Sequence, residues 1–265
     1  MPKYEKYEFN PLVKYPIIRG DSRFSYYNSF QIVIPNVLLL LDRIARGVYW
    51  DLRSYFAQNN SNDFLSKFGD SFEKYCGNML SRYFGETNVL SVKDIIGDTH
   101  KNKRHSDWVV AEGDFIFVFE CKSSLLPVIG RRTFLKSALS SWARRNLVHA
   151  ITQLDFTTKD LIRIGFIGNK TVYKFILLLE DLYIADDPFI KQSIIGEYTN
   201  SSQTIKSDVH IVSVYEMEKM EKTIMNNSFA DIIAKKDELD ETHSGNFLVA
   251  CKELDKDIIS EWASN

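Results

Sequence analysis

Seventeen residues constrain this chain more than any others: Ser106-Asp107-Trp108-Val109-Val110-Ala111-Glu112-Gly113-Asp114-Phe115-Ile116-Phe117-Val118-Phe119-Glu120-Cys121-Lys122. Two apolar runs flank Gly113-Asp114, and glycine supplies the positive φ that a two-residue hairpin loop needs. With Gly113 and Asp114 as the loop, counting outward along both strands places Asp107 directly opposite Glu120. Directly opposed residues have Cβ atoms roughly 4.5–5.5 Å apart, so two carboxylates can share one cation. A loop one residue earlier, at Glu112-Gly113, would turn Asp107 to the other face relative to Glu120.

Side chains alternate along a strand. Lys122 therefore shares a face with Glu120, while Phe115, Phe117, Phe119 and Cys121 take the opposite one. Ile116 and Val118 keep the first face apolar up to Glu120, so the strand is buried on both sides, as a central strand is. A carboxylate and a lysine at its end are costly to bury unpartnered. A metal ion for the carboxylates and an ion pair for the lysine are the simplest compensation. Taken singly, Asp107 and Glu120 also suit plain strand ends at the surface. The combination of Asp, hairpin and Glu-x-Lys after five apolar residues favours a site.

The remaining elements follow from periodicity. Residues 1–34 hold Tyr, Phe, Pro and Arg without a sustained period and read as an arm. Pro35 starts a helix over about 36–57, and Asn59 to Asp63 forms a loop before a second helix over about 63–84. Phe64, Phe68, Phe72, Tyr75, Met79 and Tyr83 form its buried stripe, and Gly85 ends it. Strands are expected at 88–92, 107–111, 115–122, 172–180 and 209–214, with helices near 134–156, 216–225 and 228–238. Three regions result: residues 1–61 as arm and helix, 62–216 as core, and 217–265 as a helical tail packed on it. The order of elements, helix, three strands, helix, two strands, indicates an α/β or α+β domain.

Composition narrows the function classes. The chain has 265 residues, 45% hydrophobic and 26% charged, which excludes disorder as a whole. Its 33 Lys and Arg against 35 Asp and Glu leave a formal charge of −2. Cys76, Cys121 and Cys251 are too far apart in sequence for a disulfide framework or a Cys-based zinc site, and fit a reducing compartment. Met1 to Asn10 lacks a signal-peptide core, and the apolar run Val37 to Leu41 is too short to span a bilayer. A cytoplasmic protein without membrane association is expected. No P-loop, Gly-x-Gly-x-x-Gly fingerprint or Gly-x-Ser-x-Gly elbow is present, so no nucleotide cofactor is evident.

Asp107 followed by Glu120-Cys121-Lys122, with Glu73 on the preceding helix and Gln153 on the following one, resembles the PD-(D/E)XK, or restriction-endonuclease-like, nuclease superfamily. The resemblance covers roughly residues 62–216. Ser106 stands where the family often has proline. The resemblance implies a mixed sheet flanked by helices and a magnesium-dependent nuclease, with manganese as a substitute. It implies that Asp107, Glu120 and the Cys121 carbonyl hold the metal. Lys122 would orient or deprotonate the attacking water and stabilise phosphate charge. Glu73 would reach the metal directly or through water, and Gln153 would support the site. Glu73 equally suits a solvated position at the polar edge of its helix, and Gln153 a surface or capping one. His149 reads as a packing or surface histidine.

Charge distribution points to the substrate. Over residues 101–145, Lys101, Lys103, Arg104, Lys122, Arg131, Arg132, Lys136, Arg144 and Arg145 oppose only Asp107, Glu112, Asp114 and Glu120. The local balance is +5, and the rest of the chain carries −7. A phosphate backbone calls for such an excess, although solvated loops also carry charge runs. DNA is the expected partner, contacted by Lys101, Lys103, Arg104, Arg131, Arg132, Arg144 and Arg145. Trp142 could join them, though tryptophan is more often core. His100 and His105, flanking Lys101 to Arg104, read as a flexible loop rather than a zinc site. Double-strand cutting suggests a homodimer, and the family analogy suggests restriction or anti-phage defence, with a partner protein of such a system. An RNA-directed nuclease uses the same residues. A nuclease-like module that binds nucleic acid or protein without cutting is the alternative of a different class.

Overall fold

Strand Phe115–Lys122 lies at the middle of a five-stranded sheet, and its residues Ile116 to Glu120 are buried without alternation. Only a strand covered by helices on both faces buries such a run. The structure, a computed structural model, describes residues 17–19, 32–34, 36–58, 63–97, 105–125, 141–180, 209–240 and 247–264. The chain forms two compact units, Met1–Phe68 and Gly69–Asn265.

In the first unit, β1 (Ile18–Arg19) pairs antiparallel with β2 (Ile32–Val33). Helix α1 (Val37–Gln58) follows, as its spacing predicts. Tyr49 packs against Phe64 and Phe68, and Phe64 stacks on Phe56. Phe64 and Phe68 lie on the first turns of α2 (Asp63–Phe84), which continues into the second unit.

The second unit is α/β. Its mixed sheet has the order β3 (Val89–Ser91), β4 (Trp108–Glu112), β5 (Phe115–Lys122), β6 (Thr171–Leu178), β7 (Val209–Ser213). The β3–β4–β5 pairings are antiparallel, and β5–β6–β7 are parallel. A short helix α3 (Val92–Ile96), capped by Ser91, begins at Val92, the last residue of the expected strand. Helix α4 (His149–Arg163) lies in the crossover from β5 to β6, preceded by a π-helical turn, Arg144–Val148. After β7 come α5 (Val214–Asn226), α6 (Phe229–Asp240) and α7 (Phe247–Ser264). A capping box between Ser213 and Glu216 starts α5.

Each face of the sheet has its own core. Phe117, Phe119, Phe175 and Val212 pack with Phe72, Cys76 and Leu80 of α2, Met217 and Met220 of α5, Phe229 of α6 and Phe247 of α7. Val109, Ile116, Val118, Ile176 and Ile211 pack on the other face with Ala150, Leu154 and Leu161 of α4. Trp142 is buried in that second core, so it is unavailable to nucleic acid. Tyr75 departs from the expected buried stripe of α2: it is 46% exposed and its hydroxyl donates to Glu218. The buried face is carried instead by Phe72, Cys76, Met79, Leu80 and Tyr83, the set that meets β4 and β5.

Candidate active site

The hairpin has the register that the Gly113-Asp114 loop predicts. Trp108 faces Phe119, Val110 faces Phe117, and Glu112 faces Phe115. Gly113 takes the positive φ the turn requires, 55°. Regular pairing stops at Trp108, and direct opposition does not carry through to Asp107. The Asp107 N–H donates to the Phe119 carbonyl at 3.1 Å, so Asp107 and Trp108 both address Phe119. Two residues against one is the pattern of a bulge, which re-aims a side chain. Here Asp107 Oδ2 accepts the Cys121 N–H at 2.7 Å, holding the carboxylate at the end of β5. A strand residue's N–H and C=O address the same neighbour, so the Cys121 carbonyl faces that edge as well. The Cys121 thiol is free, and burial, then contact with Cys76, pushes its pKa up.

Glu120 is 2% exposed. Its Oε1 accepts from Lys122 Nζ, while Oε2 is buried without a hydrogen-bond donor among the described residues. Burial, reinforced by the charge of Asp107, pushes the Glu120 carboxyl up to about 8, and Lys122 only partly opposes this. Burial also raises Asp107, to about 6, against the Cys121 N–H and with a contribution from Glu73. Both carboxyls thus hold protons more tightly than free ones, because a negative charge there lacks sufficient compensation. A cation would take the proton's place.

Lys122 Nζ also donates to Gln153 Oε1 at 2.9 Å, and Gln153 Nε2 donates to the His105 carbonyl at 3.1 Å. Gln153 is buried and joined to the lysine, not on the surface. Glu73 lies at the rim of this group. Its charge acts on both Asp107 and Glu120, and its Oε1 is 3.4 Å from Lys93 Nζ. The Glu73 carbonyl accepts from Trp108 Nε1 at 3.0 Å, and the indole lies so close over Gly77 that a Cβ there would overlap it. That close approach keys α2 onto β4 and sets Glu73 beside the strand end. Among the described residues, no three His, Cys, Asp or Glu side chains gather into a metal-holding group. Asp107 and Glu120, with the Cys121 carbonyl beside them, are the groups here that could hold an ion. These hard oxygen donors, one an orphaned buried carboxylate atom, fit magnesium, which binds through one or two carboxylates and keeps several waters.

Arg144 and Arg145 are exposed on the π-helical turn, and Arg145 Nε donates to the Ser141 carbonyl at 3.2 Å. His149 is exposed on the first turn of α4. Lys101, Lys103, Arg104, Arg131, Arg132, Lys136 and His100 lie outside the described residues. His105 differs from the flexible loop expected for it: its Nε2 is 2.9 Å from Asp160 Oδ2. Sequence reasoning also missed Thr157, whose Oγ1 accepts the Ser106 N–H at 2.7 Å. Gln153, Thr157 and Asp160 follow helical spacing on α4, a signal visible in the sequence. Among the described residues, no helix is long and apolar enough to cross a membrane. Comparison with protein-family models and with curated proteins finds no match to this chain.

Proposed function

We propose that this chain is a magnesium-dependent nuclease that hydrolyses phosphodiester bonds in DNA, with a core of the PD-(D/E)XK, restriction-endonuclease-like kind. The observation that carries the reading is the buried Glu120 carboxylate, with one oxygen held by Lys122 and the other without a donor among the described residues. Asp107, anchored on the Cys121 N–H, supplies the second acid, and the Cys121 carbonyl a third oxygen. Bound there, a magnesium or manganese ion would polarise water and neutralise charge developing on the phosphate. Lys122, fixed by Glu120 and Gln153, keeps an ammonium within reach of a water at that site, to orient it and to stabilise the phosphate. Arg144 and Arg145 supply exposed positive charge for the backbone. Work in restriction or anti-phage defence, in the cytoplasm and as a homodimer or with a partner protein, extends this reading by analogy with the family.

Plasmid cleavage in Mg²⁺ tests it. Wild type should nick or cut, while Glu120→Ala and Lys122→Ala should each lose roughly a hundredfold or more in rate. Cleavage that survives both changes rejects the assignment. A second reading, a nuclease-like module that binds nucleic acid or protein without cutting, draws on the lack of a third acidic ligand among the described residues. It requires DNA retention with no cleavage in Mg²⁺ or Mn²⁺. RNA offered in parallel separates the sugar preference.

A further inference from the structure

Helix α4 packs an apolar face on the sheet, yet that helix buries three polar side chains: Gln153, Thr157 and Asp160, at 7%, 0% and 6% exposure. Each is turned to the segment just before β4, or to Lys122. Asp160 Oδ2 lies 2.9 Å from His105 Nε2, Thr157 Oγ1 accepts the Ser106 N–H at 2.7 Å, and Gln153 Nε2 donates to the His105 carbonyl at 3.1 Å. Arg163, on the next turn, braces Asp160 from its other oxygen at 3.3 Å. Residues 105 and 106 are thereby tied to α4 at three points. Asp107, next in the chain, is then held by its N–H on Phe119, its carbonyl on the Val92 N–H at 3.0 Å, and its carboxylate on the Cys121 N–H.

We propose that Thr157, Asp160 and His105 are positioning residues of the site, forming a strap from α4 that sets where the Asp107 carboxylate stands relative to Glu120 and Lys122. The bulge gives the reason such a strap is needed. Once Asp107 has stepped out of register with β5, the ladder no longer dictates its place, and a neighbour must. Gln153 closes the circuit, since its amide holds the strap through Nε2 and Lys122 through Oε1. One helix thus fixes both the acid and the amine. Burying polar groups on an apolar face costs stability unless each is satisfied, and here each is satisfied by the strap or the lysine.

The metal-binding part rests on the proposed nuclease reading, and the test separates the two. Thr157→Val removes the acceptor of the Ser106 N–H at nearly constant volume, and Thr157→Ser keeps it. Ile224→Val, in the α5 core, serves as a destabilised control remote from the strap. Two quantities are read on the full chain: hydrogen exchange at the Cys121 amide without metal, and Mn²⁺ affinity by spin resonance. Partners that orient ligands are worth roughly 10–100-fold in metal affinity. Thr157→Val should speed Cys121 exchange about tenfold or more and weaken Mn²⁺ by a similar factor. Thr157→Ser should restore both, and Ile224→Val should change neither selectively. Unchanged Cys121 protection in Thr157→Val overturns the strap. A wild type that takes up no Mn²⁺ at millimolar concentration, with Cys121 exchange still responding to Thr157→Val, overturns the nuclease reading and leaves the strap standing.

Discussion

Each end of the β4–β5 hairpin carries a glutamate, half-buried at the turn and buried at the open end, and the two have opposite fates. At the turn, Glu112 Oε2 accepts the Phe229 N–H at 3.1 Å and the Ser228 hydroxyl at 3.2 Å. It caps the start of α6, where unpaired N–H groups and the helix dipole favour an anion. At the open end, Glu120 has an amine on one oxygen and, among the described residues, no donor on the other. Burial raises both carboxyls, and the opposing N–H of Phe229 moderates that rise at Glu112, whereas the Asp107 charge adds to it at Glu120. The half-buried acid with a helix terminus against it belongs to the fold. The buried acid beside another acid is the one to which the proposed function assigns a cation.

Breaking each end should give different losses. The largest belongs to activity: Glu120→Ala abolishes cleavage within roughly a hundredfold detection window, while Glu112→Ala keeps cleavage and loses about 1 kcal/mol of stability. Chemical denaturation beside a cleavage assay reads both, and loss of activity in Glu112→Ala under folding conditions would erase the distinction.

The pH dependence comes next. Free carboxyls titrate at about 4, and burial pushes Asp107 up to about 6 and Glu120 up to about 8 in the folded chain. Between these values the folded chain binds more protons than the unfolded one, so stability falls as pH rises from roughly 4 and levels off above about 8. Melting curves without metal at pH 5 and pH 8 should show the drop, Glu120→Gln should flatten it, and Mg²⁺ should restore stability at pH 8. A metal-free chain as stable at pH 8 as at pH 5 contradicts the buried pair.

Gly77→Ala tests how α2 is keyed to the open end. The added Cβ overlaps the Trp108 ring, so a loss of about 2 kcal/mol is expected. Trp108→Phe in the same background relieves the overlap only partly, because the smaller ring gives up the bond from Nε1 to the Glu73 carbonyl. Full stability in Gly77→Ala would show that α2 is free to shift away from β4.

The smallest effect falls on the exposed arginines. Arg144→Ala and Arg145→Ala should each reduce the slope of log affinity against log salt by about 1 without changing the chemical rate. An unchanged slope removes them from the DNA surface.

Much of the hairpin was legible because its signals are local. The Gly113-Asp114 turn dictates the register from Glu112↔Phe115 to Trp108↔Phe119, and strand alternation puts Glu120 and Lys122 on one face, where they pair. Unbroken apolarity from Phe115 to Phe119 announces a strand with helices on both sides. The bulge at Asp107 was not legible, since it depends on a segment tied to α4 by residues some fifty positions away, such as Thr157. The tie of His105 to Asp160, separated by 55 residues, escaped for the same reason. Periodicity located α2 but not its exact face: Tyr75 sits at the stripe's edge and turns out to meet Glu218, while Cys76 and Gly77 turn in. Burial is settled by the partner's shape, here the Trp108 ring over Gly77, which no local pattern contains.

Calorimetric titration of Mg²⁺ into wild type, Glu112→Gln and Glu120→Gln at neutral pH puts the central claim most directly. Wild type and Glu112→Gln should take up the ion with the same affinity, and Glu120→Gln should give only the heat of dilution. Equal uptake by all three, or none by wild type, contradicts the assignment of the open end of the hairpin as a cation site.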